Sequence, residues 1–202
     1  MSAYSANRRR ILSLWLPRLP IDRIKRKFMQ DSVALDKTPS VVVAKQNNAL
    51  LIYALDDLAV HAGLSIGLPL ANARAICPEL TVFDADEVAD RKMLEDIADW
   101  CDRFTPLVAL DLPHGLYLDI TGCAHLFGGE RALLQIVCGA LSRRGFTVSA
   151  AIASTAICAR TLTRQTSGKI VADGEEAEAV SPLPVSALGA GTPSPAACAV
   201  RD

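Results

Sequence analysis

Residues 110–122, LDLPHGLYLDITG, hold the side chains with the clearest chemical potential in this sequence. Two carboxylates, Asp111 and Asp119, flank an imidazole, His114, across a Pro-His-Gly tip. A tight β-hairpin of this kind can present paired carboxylates to hard cations, which take oxygen ligands. Here Pro-His-Gly stands where such carboxylates would be expected. Alternation along one strand puts residues eight apart on one face, but the turn between Asp111 and Asp119 voids that count. Asp119 therefore reads as support for the turn at DITG rather than as a metal ligand. As a general base His114 would need a placed partner, which the sequence does not supply, so it reads as a polar residue of the hairpin tip. His61 and His125 lie in short polar or turn settings and add no sharper signal.

Two other residue types bear on chemistry. The six cysteines (Cys77, Cys101, Cys123, Cys138, Cys158, Cys198) form no C-x-x-C pair, which argues against a zinc site and for reduced core thiols. The basic residues are unevenly placed: Arg8, Arg9, Arg10, Arg18, Arg23, Lys25, Arg26 and Lys27 fall within residues 1–30 against one acid, Asp22, and the net charge of the whole chain is −1. A basic lobe on an acidic body suits nucleic acid or an acidic partner; it equally suits a solvated helix face behind a ragged terminus.

These residues need a scaffold, and 202 residues, half of them hydrophobic, can bury one core or two small ones. No run approaches 18 apolar residues, and the apolar stretch 11–16 is broken by Pro17 and Arg18; neither a membrane span nor a signal peptide is expected, and a cytoplasmic location is. RRILSLWL predicts a buried strand. IDRIKRKF predicts a short helix with Ile21, Ile24 and Phe28 inward. SVVVA and ALLIYA predict two strands joined by a polar KQNN turn, followed by two short helices. The second of these opens at Pro69 with Leu70, Ala73 and Ile76 inward, and Pro78 stops it.

Val88, Leu94, Ile97, Trp100 and Phe104 recur at near-helical spacing and predict a long amphipathic helix. PLVALD and GLYLDI pair as a hairpin through residues 112–114. A helix over 130–142, the strand TVSAAIA, and a helix from an N-cap at Ser154 to Gln165 complete the order. Strand, helix, hairpin, helix, strand is the order of an α+β, ferredoxin-like βαββαβ sheet with helices on one face. The tail TPSPAACAVRD is small-residue and Pro-rich, and reads as a linker, a truncation or a shifted reading frame.

Four co-linear segments resemble the Y-family translesion DNA polymerases: HAGLSIGLPLANARAICPEL, like the family's fingers; FTPLVALDLPHGLYLDITGCAHLFG, like its palm hairpin; SAAIASTAICARTLTR, like its last palm strand and helix; and SPLPVSAL, like the join to its thumb. The resemblance implies a palm over 8–38 and 79–188, a small inserted fingers domain over 39–78, and a linker or shifted tail over 189–202. Active members hold two Mg²⁺ ions on an aspartate of the first strand and an adjacent Asp-Glu pair of the hairpin, and the ions activate the primer hydroxyl and bridge the nucleotide phosphates.

Aligned on that pattern, Trp15 takes the place of the aspartate, and His114 and Gly115 take the Asp-Glu pair. None of the three is a hard-cation ligand, so no metal or other cofactor is expected. A Tyr and an Arg that hold the triphosphate fall at Asp57 and Val60, and with Asp56 beside it Asp57 would repel a triphosphate. Arg160 falls where the family has a phosphate-contacting Lys and still suits a phosphate, while also reading as a surface helix residue.

Lost acids together with the opening RRILSLWLPRLP resemble the ImuB-type subgroup. That likeness implies a non-catalytic scaffold in damage-induced mutagenesis that joins an ImuA-type RecA-like protein, an error-prone replicative-type polymerase and the sliding clamp near the nucleoid. DNA contact is expected to be weak and salt-dependent, through Arg8, Arg9 and Arg10. Two rivals stay open: an active Y-family polymerase with rearranged metal ligands, and a non-functional truncated remnant.

Overall fold

A computed structural model describes residues 9–30 and 38–184. In chain order the elements are β1 (Ile11–Trp15), α1 (Leu19–Gln30), β2 (Ser40–Gln46), β3 (Ala49–Leu55), α2 (Asp57–His61), α3 (Leu70–Ile76), β4 (Thr81–Asp84) and α4 (Glu87–Cys101). The hairpin strands β5 (Val108–Asp111) and β6 (Gly115–Asp119) follow, then α5 (Glu130–Arg143), β7 (Ser149–Ala153), α6 (Ala156–Gln165), β8 (Lys169–Ile170) and α7 (Glu176–Val180). The chain divides into two compact units, Met1–Pro17 with Arg91–Asp202, and Arg18–Asp90. Within the smaller unit α1 packs on β2 and β3, and β4 pairs with β2. No helix among the described residues is long and apolar enough to cross a membrane.

The larger unit is built on a sheet of order β5-β6-β1-β7-β8. β1 pairs antiparallel with both β6 and β7, and β8 adds parallel to β7. With α4 and α5 as the crossovers, this is the βαββαβ order expected. Every residue of β1 is buried because the sheet is covered on both faces. By alternation Ile11, Ser13 and Trp15 share one face, and Ile11 packs there with Ala151, Ala153, Cys158, Ala159 and Leu162, the side covered by α6. Leu12, Leu14, Leu116, Leu118, Ala150 and Ile152 point the other way and are fully buried. Helices on one face were expected from the core motif alone; α6 supplies the second layer. Its N-cap is Thr155, whose side chain accepts from Cys158 N, and not Ser154.

The smaller unit centres on the sheet β3-β2-β4. β2 reads as a continuous apolar run because it too is buried on both sides. Val41 and Val43 meet Ile52, Ala59, Leu64 and Ala73, while Val42 and Ala54 meet Ile21 and Ile24 of α1, with Phe28 alongside. The KQNN turn is realised with Asn47 and Asn48 both at positive φ, the backbone a tight two-residue hairpin requires and one that Asn tolerates.

Two inward assignments fail: Ile76 at the end of α3 is 53% exposed and Val88 in the first turn of α4 is 81% exposed. Both lie at helix ends, where the apolar stripe has run past the surface it covers. The strand β4, parallel to β2, was not anticipated at all.

Candidate functional site

The three positions aligned with metal-binding acids come together in space. Trp15, the last residue of β1, stands opposite Gly115, the first of β6, and Leu16 N donates to His114 O at 2.9 Å. The hairpin tip is thus tied to the end of β1 by backbone bonds that any side chains would permit. Trp15 is 7% exposed and lies on the face of the sheet that α6 covers.

What fills this place is an ion cluster of a different kind. Asp111 closes β5 opposite Gly115, and its Oδ2 accepts from Arg160 Nε at 3.0 Å and from Arg164 Nη2 at 3.2 Å. The two arginines are i and i+4 on α6, so they project from one helix face onto one carboxylate. Arg164 also lies 5.8 Å from the centroid of the Trp15 ring, within cation–π range. The cluster carries two cations against one anion. Burial, reinforced by the neighbouring Arg160 charge, lowers the Arg164 pKa, and burial with the Asp111 charge raises that of Tyr117.

Gly115 leaves no room for a carboxylate. A Cβ built there would stand 2.9 Å from Asp111 O, 3.0 Å from Asp111 Oδ2 and 3.1 Å from Asp111 Cβ. Mg²⁺ takes octahedral oxygen coordination. This place offers an indole, an imidazole, a glycine, and one carboxylate already holding two guanidinium groups, so the residues present do not fit that ion. Among the described residues no group of three His, Cys, Asp or Glu is arranged to hold a metal.

His114 is held uncharged. Burial, with the Arg164 cation adding to it, pushes the imidazole down to about 4. A depressed histidine leaves stability intact above the unfolded value near 6.5 and removes it as pH falls towards the folded value, because only the unfolded chain takes up the proton in that window. Between pH 6.5 and 4 the palm unit is expected to lose roughly 2–3 kcal/mol through this residue. Urea titrations across that range should show a smaller decline in His114→Asn; an identical decline would sever His114 from it.

The other expected site residues are differently disposed. Asp119 accepts from Thr121 N and Oγ1 and from Arg9 Nε. It sits at the far end of β6 from Asp111, so the pair does not converge, and it supports the DITG turn as read. Burial raises its pKa, but the Thr121 and Arg9 bonds outweigh this and hold it below the ordinary value.

In the smaller unit, Asp57 is ion-paired to Arg18 at 2.6 Å, and Asp56 caps α2 through Ala59 N while meeting Lys25 Nζ at 2.8 Å. The two acids are therefore not the bare negative pair the sequence suggested. Val60 is 46% exposed.

The described N-terminal cations fall in both units. Arg9 and Arg10 belong to the larger unit and Arg18 to Lys27 to the smaller. Arg10 forms a bidentate pair with Glu130 at 2.6 and 2.7 Å and also donates to Ser154 Oγ; that bond to Glu130 raises its pKa. Arg23 pairs with Asp90. Arg9 stays 71% exposed beside Asp119, and Arg8 lies outside the described residues, as do residues 189–202. Sequence reasoning missed Arg164, although its spacing from Arg160 was a usable signal, and missed Asp111 as the counter-ion of both.

Comparison with known proteins accords with this geometry. The family model described as impB/mucB/samB matches residues 26–164. The ImuB proteins of two Caulobacter vibrioides strains are 46% identical over 130 residues, 64% of this chain and 28% of theirs. DNA polymerase IV 2 of Mesorhizobium japonicum is 30% identical over 131 residues, 62% of this chain and 31% of that protein. The chain spans under a third of the length of these curated relatives.

Among solved structures, an insertion ternary complex of Dbh DNA polymerase superposes with a TM-score of 0.71 at 14% identity, covering 88% of this chain and 53% of that one. DinB from Sulfolobus solfataricus gives 0.65 at 14% identity, covering 85% and 50%. These likenesses show the fold. With the strand order, the hairpin and more than half of the sequence in agreement, the chain belongs to the impB/mucB/samB family.

Proposed function

We propose that this chain is the palm-and-fingers part of a non-catalytic Y-family homologue that serves as a scaffold in translesion synthesis and damage-induced mutagenesis. The observation that carries the reading is the substitution at the end of β1 and the hairpin tip: Trp15, His114 and Gly115 stand together, and the carboxylate beside them, Asp111, is taken up by ion pairs with Arg160 and Arg164. Phosphoryl transfer by the two-metal route needs convergent carboxylates to neutralise and align the transferring group. Losing them forfeits several kcal/mol of transition-state stabilisation, hence orders of magnitude in rate.

On this reading the work is done by presenting surfaces to other proteins: an ImuA-type RecA-like protein, an error-prone replicative-type polymerase and the sliding clamp, in the cytoplasm at the nucleoid. Damaged DNA is touched weakly, through Arg8, Arg9 and Arg10, the last already engaged by Glu130. The palm is assigned to 8–38 and 79–188 and the fingers to 39–78. The rival, an active polymerase with rearranged ligands, would have to recruit Asp111 away from its two arginines.

Thermal melting of the chain with millimolar Mg²⁺ or Mn²⁺ and a deoxynucleoside triphosphate separates the two, run beside primer extension. The expected result is no rise in melting temperature beyond that given by salt, and no extension. A ligand-dependent rise would mean a nucleotide–metal site survives and would overturn the scaffold reading.

A further inference from the structure

The α6 side of the larger sheet is completed by a segment that packs on it without joining it. After β8, Val171 N donates to Ile152 O at 2.9 Å, and the chain then turns at Gly174, with φ at +88°, into α7. From there the backbone bonds stay local. Glu175 N donates to Ala172 O, Ala179 N to Glu175 O, Ser181 N to Ala177 O and Leu183 N to Val180 O. Lifting α7 away therefore breaks no rung of the sheet.

Two attachments oppose that movement. Glu176 Oε1 accepts from Ser154 N at 3.2 Å, and the half-buried Ala179, Val180 and Leu183 pack on the cluster of Ile11, Cys158, Ala159 and Leu162. Glu176 and Lys169 both act electrostatically on the Cys158 thiol, which places that thiol beneath the segment. The other flank of α7 is poorly filled. A hollow of about 360 Å³ separates Ile170 and Val171 from Glu175, Glu178 and Ala179, so dispersion contacts are missing there. A helix of five residues does not sustain itself in water. One side-chain bond and three half-buried apolar groups resist lifting with far less free energy than a five-stranded sheet resists unfolding.

We infer that residues 174–183 form a strap that opens about Gly174 as a local unit, uncovering the flank of α6 at Cys158 and Leu162 while the sheet stays folded. Cys158 is 5% exposed with the strap closed, so its thiol reports the opening. The inference holds whether or not the palm is catalytic, so its failure and that of the scaffold reading are seen separately.

The test is alkylation of the native whole chain by iodoacetamide, each cysteine being followed by peptide mass spectrometry from no urea to about 1 M. Cys101, fully buried in the same unit, is the reference for unfolding. Cys158 is expected to react at least about tenfold faster than Cys101 without urea, and with a much shallower dependence on urea, because local opening exposes little surface. Leu183→Ala should speed Cys158 by roughly tenfold and Glu176→Gln by about threefold, with the shallow dependence kept. Circular dichroism checks that each variant folds, and Glu176→Gln serves if Leu183→Ala does not. The same urea dependence for both thiols would mean that Cys158 is reached only by unfolding, and an unchanged Cys158 rate in the folded variants would mean that another movement uncovers it; either result overturns the strap.

Discussion

Replacing Asp111 with alanine is expected to destabilise the palm unit by about 3 kcal/mol. Its carboxylate is the shared partner of Arg160 and Arg164, and the Asp111 and Arg164 side chains are each only 13% exposed. Removing it leaves two cations facing each other in a half-buried place, with Arg164 already disfavoured as a cation by burial and by Arg160. Breaking such a cluster by deleting one partner is far more damaging than never having built it, because the surviving charges stay desolvated. Asp111→Leu with Arg160→Met and Arg164→Met, which removes every charge of the cluster, should therefore recover much of the loss. For a chain of this length about 3 kcal/mol corresponds to roughly 10 °C in melting temperature. Urea unfolding followed by tryptophan emission measures it, and an unchanged midpoint in Asp111→Ala would mean that the cluster is an ornament of the surface.

The second large effect is a failure to gain function. Restoring acids at all three positions, with Trp15→Asp, His114→Asp and Gly115→Glu, is expected to give no Mg²⁺-dependent primer extension and to cost more than about 4 kcal/mol of stability. Taking out the indole empties space in a fully packed strand, and Arg164 loses the ring beside it. Any Cβ at residue 115 meets the Asp111 backbone oxygen at 2.9 Å, and a backbone atom cannot swing aside as a side-chain end can. The hairpin has settled around glycine, so acids cannot be returned one residue at a time. Extension above background by the triple variant would overturn this account, and a urea midpoint equal to that of the parent would refute its steric half.

Which parts of this were legible in the sequence follows from the range over which each signal acts. β1, β2 and the hairpin are short apolar runs closed by turn residues, and α5 is an amphipathic stripe; both are local patterns. Ile76 and Val88 were misread because periodicity says which side of a helix is apolar but not where the surface beneath it stops. β4 was missed because four half-buried residues offer too short a pattern, and its existence depends on β2 lying alongside. The convergence of Trp15 with Gly115 was implied by family alignment and not by spacing. The fate of Arg10 was illegible for the opposite reason: it finds Glu130, 120 residues on, and a charge count along the chain carries no sign of so remote a pair.

The pairing of β1 on both sides also sets an order of events. Ile11 must find Asp119 on one flank and Ala153 on the other, both more than a hundred residues downstream, whereas the strands of the smaller unit all lie between Ser40 and Asp84. Contacts so remote in sequence close late, after the entropy of a long loop has been overcome. During synthesis the smaller unit can therefore complete itself while the first strand still waits, apolar and unpaired, for a partner that the ribosome has not yet made. The segment that carries Trp15 thus emerges before the smaller unit and is buried after it, and chaperones would have most to do there.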